Sequence, residues 1–340
     1  MDSKGPDKYR ALRRRLRAVV CCLWLMVAGT LLVSCSWVGD DTDDCPYGFW
    51  LRLHYTYNIL DVEAVEQYVD NACVYVYDAD GHYVKRIDVD HNELKANGYK
   101  VRVEGLPEGD YQFVVWSGLG SDSYVVSGDT QPMDAFRLSL ATENGHSDSA
   151  LTPLFHGYQP TVHYDNRYAV YDVGLMKDTN QLVCLVVSLS EQADMNADDY
   201  TMKVVAANGM MDALNGLPSA VLTTYEPFEQ GPVTIDDPDY GELKGLRFSM
   251  MTLRLMSGQE SRIVFGKRDT GETLFSISLP EYVGMIGSLY TNLGRPLSVQ
   301  EYLDRQDLYT IVFYLSEGMD QLLQLKVNSW RLRANYHLKL

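Results

Sequence analysis

Asp78-Ala79-Asp80-Gly81 has the carboxylate spacing of the start of a calcium-binding loop. Such a loop needs further oxygen ligands and a bidentate Glu at its twelfth position, where this chain has Val89. The tetrapeptide therefore reads as a turn, with glycine where a positive φ is wanted. Gly118-Leu119-Gly120 offers two of the three glycines of a phosphate-cradling loop; Ser123 stands in the third place, and no strand–helix–strand pattern follows. The seven histidines are scattered, and no H-E-x-x-H, G-x-S-x-G or P-loop pattern occurs. No catalytic residue, metal site or cofactor is expected. The residue left with a chemistry of its own is Cys35, a thiol directly after Leu32-Val33-Ser34.

The residues before Cys35 have the organisation of an export signal. Arg10, Arg13, Arg14, Arg15 and Arg17 form a basic start, and 18–33 is an apolar stretch short for a bilayer span. A retained membrane helix is the alternative. The tetrad Leu32–Cys35 resembles the lipobox of bacterial lipoproteins. That resemblance implies cleavage between Ser34 and Cys35 and acylation of the Cys35 thiol, so 1–34 is a signal peptide and 35–48 a lipidated tether. Two or more acyl chains suffice for stable anchoring, at about 0.8 kcal/mol per buried methylene. Asp40, Asp41, Asp43 and Asp44 crowd the tether, which should be solvated and extended. They make a plain spacer, or they resemble the acidic surface-export signal that follows the lipid cysteine in many Bacteroidales lipoproteins.

Seven of the 29 basic and two of the 46 acidic residues lie in the first 34, which leaves the remainder near −22. A body so acidic is repelled by phosphate backbones, so nucleic acid is not expected as a partner. Beyond Cys35 the cysteines are Cys45, Cys73 and Cys184, without C-x-x-C spacing. Cys73 and Cys184 sit in apolar runs; buried thiols and a Cys73–Cys184 disulfide both remain open.

The elements that would position any site are strands. Phe49, Leu51, Leu53, Tyr55 and Tyr57 alternate with polar residues at period 2. Cys73–Tyr77, the Asp78–Gly81 turn and Tyr83–Val89 read as a hairpin, and Pro107–Asp110 turns into a strand over 111–116. Residues 118–132 read as loop, and 136–140 alternates again. Polar 142–150 and the prolines 153 and 160 suggest a boundary. After it the pattern restarts with strands over 168–175, 182–189, 200–206, 246–255, 261–265, 273–279, 309–315 and 322–327. Asp178-Thr179-Asn180 reads as a turn. Closely spaced strands with Gly, Pro and Asp turns predict an all-β chain of two tandem antiparallel β-sandwiches, 49–155 and 156–340. Abundant Tyr, with Trp116 and Trp330 at strand ends, raises a glycan-stacking platform against the commoner core role.

Taken together, several segments resemble the FimB-type fimbrial anchor lipoproteins of Bacteroidales. They are the Cys35 tetrad with Cys45-Pro46, 51–58, Val74–Asp78 closing into Asp80-Gly81, Leu106–Tyr111, Val115–Gly118, Leu175–Asn180, Glu301–Arg305 and Val327–Arg331. The resemblance implies two transthyretin-like sandwiches and a role as an outer-membrane, surface-exposed, lipid-anchored accessory subunit that anchors or caps a fimbria (pilus) and supports cell adhesion. Its partners would be other fimbrial subunits, joined by strand complementation, and the membrane through lipid. The alternating segment with Leu323, Leu325, Val327 and Trp330 is the candidate assembly strand, an ordinary edge strand being the other reading. The runner-up function is a surface glycan-binding lipoprotein of a polysaccharide-uptake system.

Overall fold

A computed structural model describes residues 48–190, 195–289, 293–318, 320–328 and 330–333. Cys35, Ser34, Asp40, Asp41, Asp43, Asp44 and Cys45 lie outside the described residues. In chain order the first ten strands are β1 (Phe49–His54), β2 (Ala72–Asp78), β3 (Tyr83–Val89), β4 (Lys100–Val103), β5 (Gly109–Ser117), β6 (Tyr124–Ser127), β7 (Arg137–Leu140), β8 (His146–Ser147), β9 (Phe155–Tyr164) and β10 (Val170–Lys177). Short helices α1 (Val65–Tyr68) and α2 (His91–Ala96) precede β2 and β4. The fold is nearly all β.

The first sheet runs β3-β2-β5-β9-β10-β1-β4 and folds over on itself. β10 makes the fold: Val170–Gly174 pair parallel with β1, and Leu175–Lys177 pair antiparallel with β9. Phe49 on β1 consequently meets Phe113 on β5 edge to face, centroids 5.6 Å apart. Alternate residues fill the space between the layers: Leu51, Leu53, Val74, Val76, Val115 and Val173. β2 and β5 are buried on both faces, so they read as continuous apolar runs rather than alternating ones. Their second face carries Tyr75, Tyr77 and Trp116, and Trp116 stacks on Phe136, centroids 6.1 Å apart.

The remaining strands are β11 (Thr179–Ser188), β12 (Tyr200–Ala206), β13 (Met210–Asp212), β14 (Thr223–Tyr225), β15 (Glu229–Asp237), β16 (Gly241–Leu253), β17 (Ser261–Lys267), β18 (Thr273–Ser278), β19 (Leu308–Leu315), β20 (Leu322–Val327) and β21 (Trp330–Arg333). Helices α3 (Leu279–Gly284) and α4 (Val299–Arg305) lie between β18 and β19. A six-stranded sheet, β15-β16-β11-β19-β20-β21, faces a five-stranded sheet, β18-β17-β12-β14-β8. Leu182, Cys184, Phe248 and Phe313 from one layer pack with Met202, Val204, Phe265 and Phe275 from the other. Phe275 stacks on Phe313 across the layers, centroids 4.8 Å apart. Each such ring or aliphatic side chain, fully buried, contributes about 1.5–3 kcal/mol.

Several expectations need revision. β9 and β10, Phe155–Lys177, belong to the first sheet, although the expected boundary placed all but Phe155 in the second sandwich. The polar run 142–150 is no linker: β8 lies within it and pairs parallel with β14. A three-stranded sheet, β13-β7-β6, joins strands from both halves of the sequence. Such pairings join segments many tens of residues apart, so local polarity does not reveal them. The sandwiches are not purely antiparallel either, since β1 with β10, β11 with β19 and β14 with β8 run parallel. Finally, Asp178 is not in a turn. It is the single residue between β10 and β11, where the chain passes from the first sheet to the six-stranded one.

Candidate functional site

The candidate assembly segment lies in the six-stranded sheet. β20 pairs antiparallel with β19 on one side and with β21 on the other. Leu325 stands between Phe313 and Leu332, and Val327 between Ile311 and Trp330. Leu325 and Val327 are fully buried in the second core, whereas Leu323 is half-buried beside an irregularity in the ladder. Leu323, Leu325 and Val327 therefore lie on an interior strand, whereas Trp330 begins the next one. The hairpin that covers the outer side of β20 turns at Asn328, whose φ is +51° and whose Oδ1 accepts the Thr310 N–H at 2.9 Å. Among the described residues β21 is the edge, with Trp330 as its first residue.

A sheet edge offers unpaired backbone N–H and C=O groups to any incoming strand, and charges or proline defend it. β15, the opposite edge, carries Pro232, Asp236 and Asp237. β3 carries Lys85, Arg86 and Asp88, and β4 is four residues long with Lys100 and Arg102 over the Trp50 ring.

A second constellation was not anticipated from single residues, although its parts are the Leu175–Asn180 and Glu301–Arg305 motifs. Arg254 donates from Nε and Nη2 to the two oxygens of Asp304, at 3.0 and 3.2 Å, with both side chains nearly buried. Gln300 Nε2 donates to the same carboxylate at 2.8 Å. Arg305 reaches into the first half of the chain, donating to the Asn58 carbonyl at 3.0 Å and to Asp61 at 2.9 Å, with its guanidinium 4.3 Å from the Tyr57 ring centroid. Its Nε donates to Glu301 at 3.0 Å. Arg295, and after it Arg305, hold the Glu301 carboxyl below the usual range. Lys177 pairs with Asp307. These contacts form a polar seam that ties α4 to the loop after β1. The signal for it was sparse: Glu301, Asp304 and Arg305 recur at spacings of three and four, which place them on one face of α4.

The other candidates resolve as structure. The Asp78 carboxylate accepts the N–H groups of Asp80 at 2.9 Å and His82 at 2.8 Å, and Gly81 has φ +83°. Among the described residues Asp78, Asp80 and His82 are the group whose ligand atoms lie within 4.8 Å of one another; all three side chains reach solvent. Gly118 has φ +96°, and a Cβ there would collide with the Pro153 carbonyl oxygen. Gly118→Ala is expected to cost more than about 1 kcal/mol, because strain and collision act together, and chemical unfolding would measure it. His54 is held between Glu63 at 2.7 Å and Asp172 at 3.1 Å, and His163 bonds Asp110 at 2.7 Å. His156 is buried beside Trp116 and bonds the Ala213 carbonyl at 3.0 Å; burial pushes it down to about 4. Cys73 and Cys184 are both free and buried, so the disulfide is not formed, and burial pushes each thiol up to about 12. Trp116 is fully buried and contributes to no sugar platform. No helix among the described residues is long and apolar enough to cross a membrane.

Residues 42–336 match the family model of the fimbrillin-A associated anchor proteins Mfa1 and Mfa2. The chain belongs to this family. The fimbrial anchor protein Mfa2 from Porphyromonas gingivalis is similar in fold, with 18% identity and a TM-score of 0.63 over 86% of this chain and 100% of that one. A candidate polysaccharide-binding protein from Bacteroides thetaiotaomicron aligns over 86% of this chain and 99% of its own at 27% identity and a TM-score of 0.73. A candidate adhesin from the same organism gives 24% identity and a TM-score of 0.75 over 86% and 99%. No curated protein matches the chain. The two-sandwich body is thus that of an anchor-family protein, associated with fimbriae and with other fimbrial subunits.

Proposed function

We propose that this anchor-family protein is a lipid-anchored accessory subunit of a surface fimbria. Lipid on Cys35 holds it at the outer membrane, the acidic tether with Asp40, Asp41, Asp43 and Asp44 carries it to the cell surface, and its β-sandwiches bind other subunits to anchor or cap the fibre. The family match over 42–336 carries this reading. The basic start, apolar stretch and Leu32–Cys35 tetrad support the lipid. Subunit contact by strand addition would use the C-terminal edge of the six-stranded sheet. There an added strand pairs with β21, or with β20 once β21 has left, while alternate side chains fill pockets.

Acyl labelling and surface proteolysis of the wild type beside Cys35→Ala, with identification of co-purifying proteins, test the proposal. The expected result is label and surface exposure in the wild type, a co-purifying β-sandwich subunit, and loss of label and of membrane retention in the variant. Wild-type protein without label would overturn the lipid anchor. A labelled protein that captures polysaccharide and no subunit would favour the glycan-binding reading, which the similarity to the candidate polysaccharide-binding protein supports.

A further inference from the structure

Asp178 is fully buried at the crossing between the two sandwiches. Its N–H donates to the Leu154 carbonyl at 2.8 Å, and its Oδ1 accepts from Asn215 Nδ2 at 2.8 Å. Its other oxygen, Oδ2, is buried with no partner, and so is Oδ1 of the same Asn215. A protonated carboxyl and a primary amide each present one donor and one acceptor on adjacent atoms. Two such groups already share one hydrogen bond here, and the one remaining atom on each is a buried, orphaned oxygen. A single proton on Asp178 Oδ2 satisfies both. Without it, two acceptor oxygens are buried together, each at the cost of an unmade hydrogen bond.

Asn215 belongs to the Asp212–Gly216 turn, where its φ is +64°. Three side chains from different elements hold that turn in the seam. His156 on β9 bonds the Ala213 carbonyl at 3.0 Å, Arg254 after β16 donates to the Asn215 carbonyl at 3.0 Å, and Asp178 holds the Asn215 amide. We propose that Asp178 is a neutral carboxylic acid in a cyclic pair with Asn215, and that loss of its proton loosens the turn from the seam. The acid donates from Oδ2 to Asn215 Oδ1 and accepts at Oδ1 from Asn215 Nδ2.

The charged groups around the pair agree with this. Arg254, the cation acting on Asp178, is engaged in both oxygens of Asp304, and Asp304 itself opposes a second negative charge. Lys177, next in sequence, is paired with Asp307. His156 is neutral, and Tyr55 and Tyr124 lie near enough for a charge on Asp178 to disfavour their own ionisation. Asp212 in the turn binds the N–H groups of Leu214 and Gly216 at 2.9 and 2.7 Å. Burial pushes Asp178 up to about 7 from an ordinary 3.8. The folded state then keeps a proton that the unfolded chain releases. The pair's stabilisation is complete below about pH 4, falls as pH rises towards about 7, and is gone above it.

Asp178→Asn makes an amide–amide pair with the same two hydrogen bonds and no proton to lose. The test is the folding equilibrium constant of the full chain in denaturant, wild type beside Asp178→Asn, at about pH 5 and about pH 8. The ratio of wild type to variant is expected to fall by more than about tenfold between the two, with the variant the more stable at the higher pH. A ratio that changes by less than about tenfold overturns the proposal. If the variant does not fold, the carboxyl carbon resonance of Asp178 in the wild type gives the same answer. Titration near neutral pH supports the pair, and a carboxylate already ionised at about pH 5 overturns it.

Discussion

Leu325→Asp is expected to unfold the second sandwich rather than to remove an assembly contact selectively. Leu325 is wholly buried, and its strand is bonded on both sides, to Phe313 on β19 and Leu332 on β21. Shortening a buried leucine costs about 2–5 kcal/mol through lost transfer energy and the cavity left behind. The carboxylate adds several kcal/mol, because Leu325 belongs to a core built of apolar side chains. The sum rivals the 5–15 kcal/mol that holds a typical domain together. Urea unfolding followed by tryptophan fluorescence should show no cooperative transition of normal stability. Leu323→Asp, at a half-buried position beside the ladder irregularity, should keep it to within about 1 kcal/mol. A Leu325→Asp protein that unfolds with the wild-type midpoint would contradict the interior placement of β20. Loss of partner binding in Leu325→Asp alone would therefore say nothing about assembly, whereas the same loss in folded Leu323→Asp would implicate this edge of the sheet.

The contrast between these two leucines shows how far the sequence could be read. Alternation is a one-dimensional signal and marked β1, β12 and β20 as strands, because their neighbours on either face differ in polarity. It carries no information about what lies beside a strand. Alternation over Leu323–Trp330 reads equally as an assembly strand or an edge strand, yet Asn328 turns the chain back and β21 covers β20. The Asp78–Gly81 turn and its hairpin were legible because turn chemistry is local. β6, β8 and β13, two to four residues each, were not, since they are strands only by virtue of partners elsewhere. Asp178-Thr179-Asn180 misled for a related reason. Asp and Asn favour turns by bonding nearby backbone, but here Asp178 meets Asn215 and Asn180 Nδ2 donates to the Leu253 carbonyl at 3.3 Å. Polar residues placed for a distant partner look the same, in sequence, as polar residues placed for a loop.

That argument bears most strongly on Glu301-Tyr302-Leu303-Asp304-Arg305. Read alone it is a short amphipathic helix. In the fold its polar members bond along the helix and beyond it: Glu301 takes Arg295 and Arg305, Asp304 takes Arg254 and Gln300, and Arg305 takes Asn58 and Asp61. The Asp304 side chain is only 7% exposed, and Arg254 is the cation it pairs with. Arg254→Met is expected to destabilise the protein by about 3–5 kcal/mol, the ordinary cost of leaving one member of a buried pair without the other. The same change also frees the Asn215 carbonyl, which Arg254 holds at 3.0 Å. Arg254→Met combined with Asp304→Leu should recover most of that loss, because two apolar side chains of similar volume remove the stranded charge as well as the attraction. Denaturant unfolding of the wild type, the two single variants and the double variant closes the cycle. A coupling of at least about 2 kcal/mol is expected between residues in direct contact. Single variants whose losses simply add would mean that α4 is held in the seam by packing of Tyr302 and Leu303, and that the ion pair only occupies the space between.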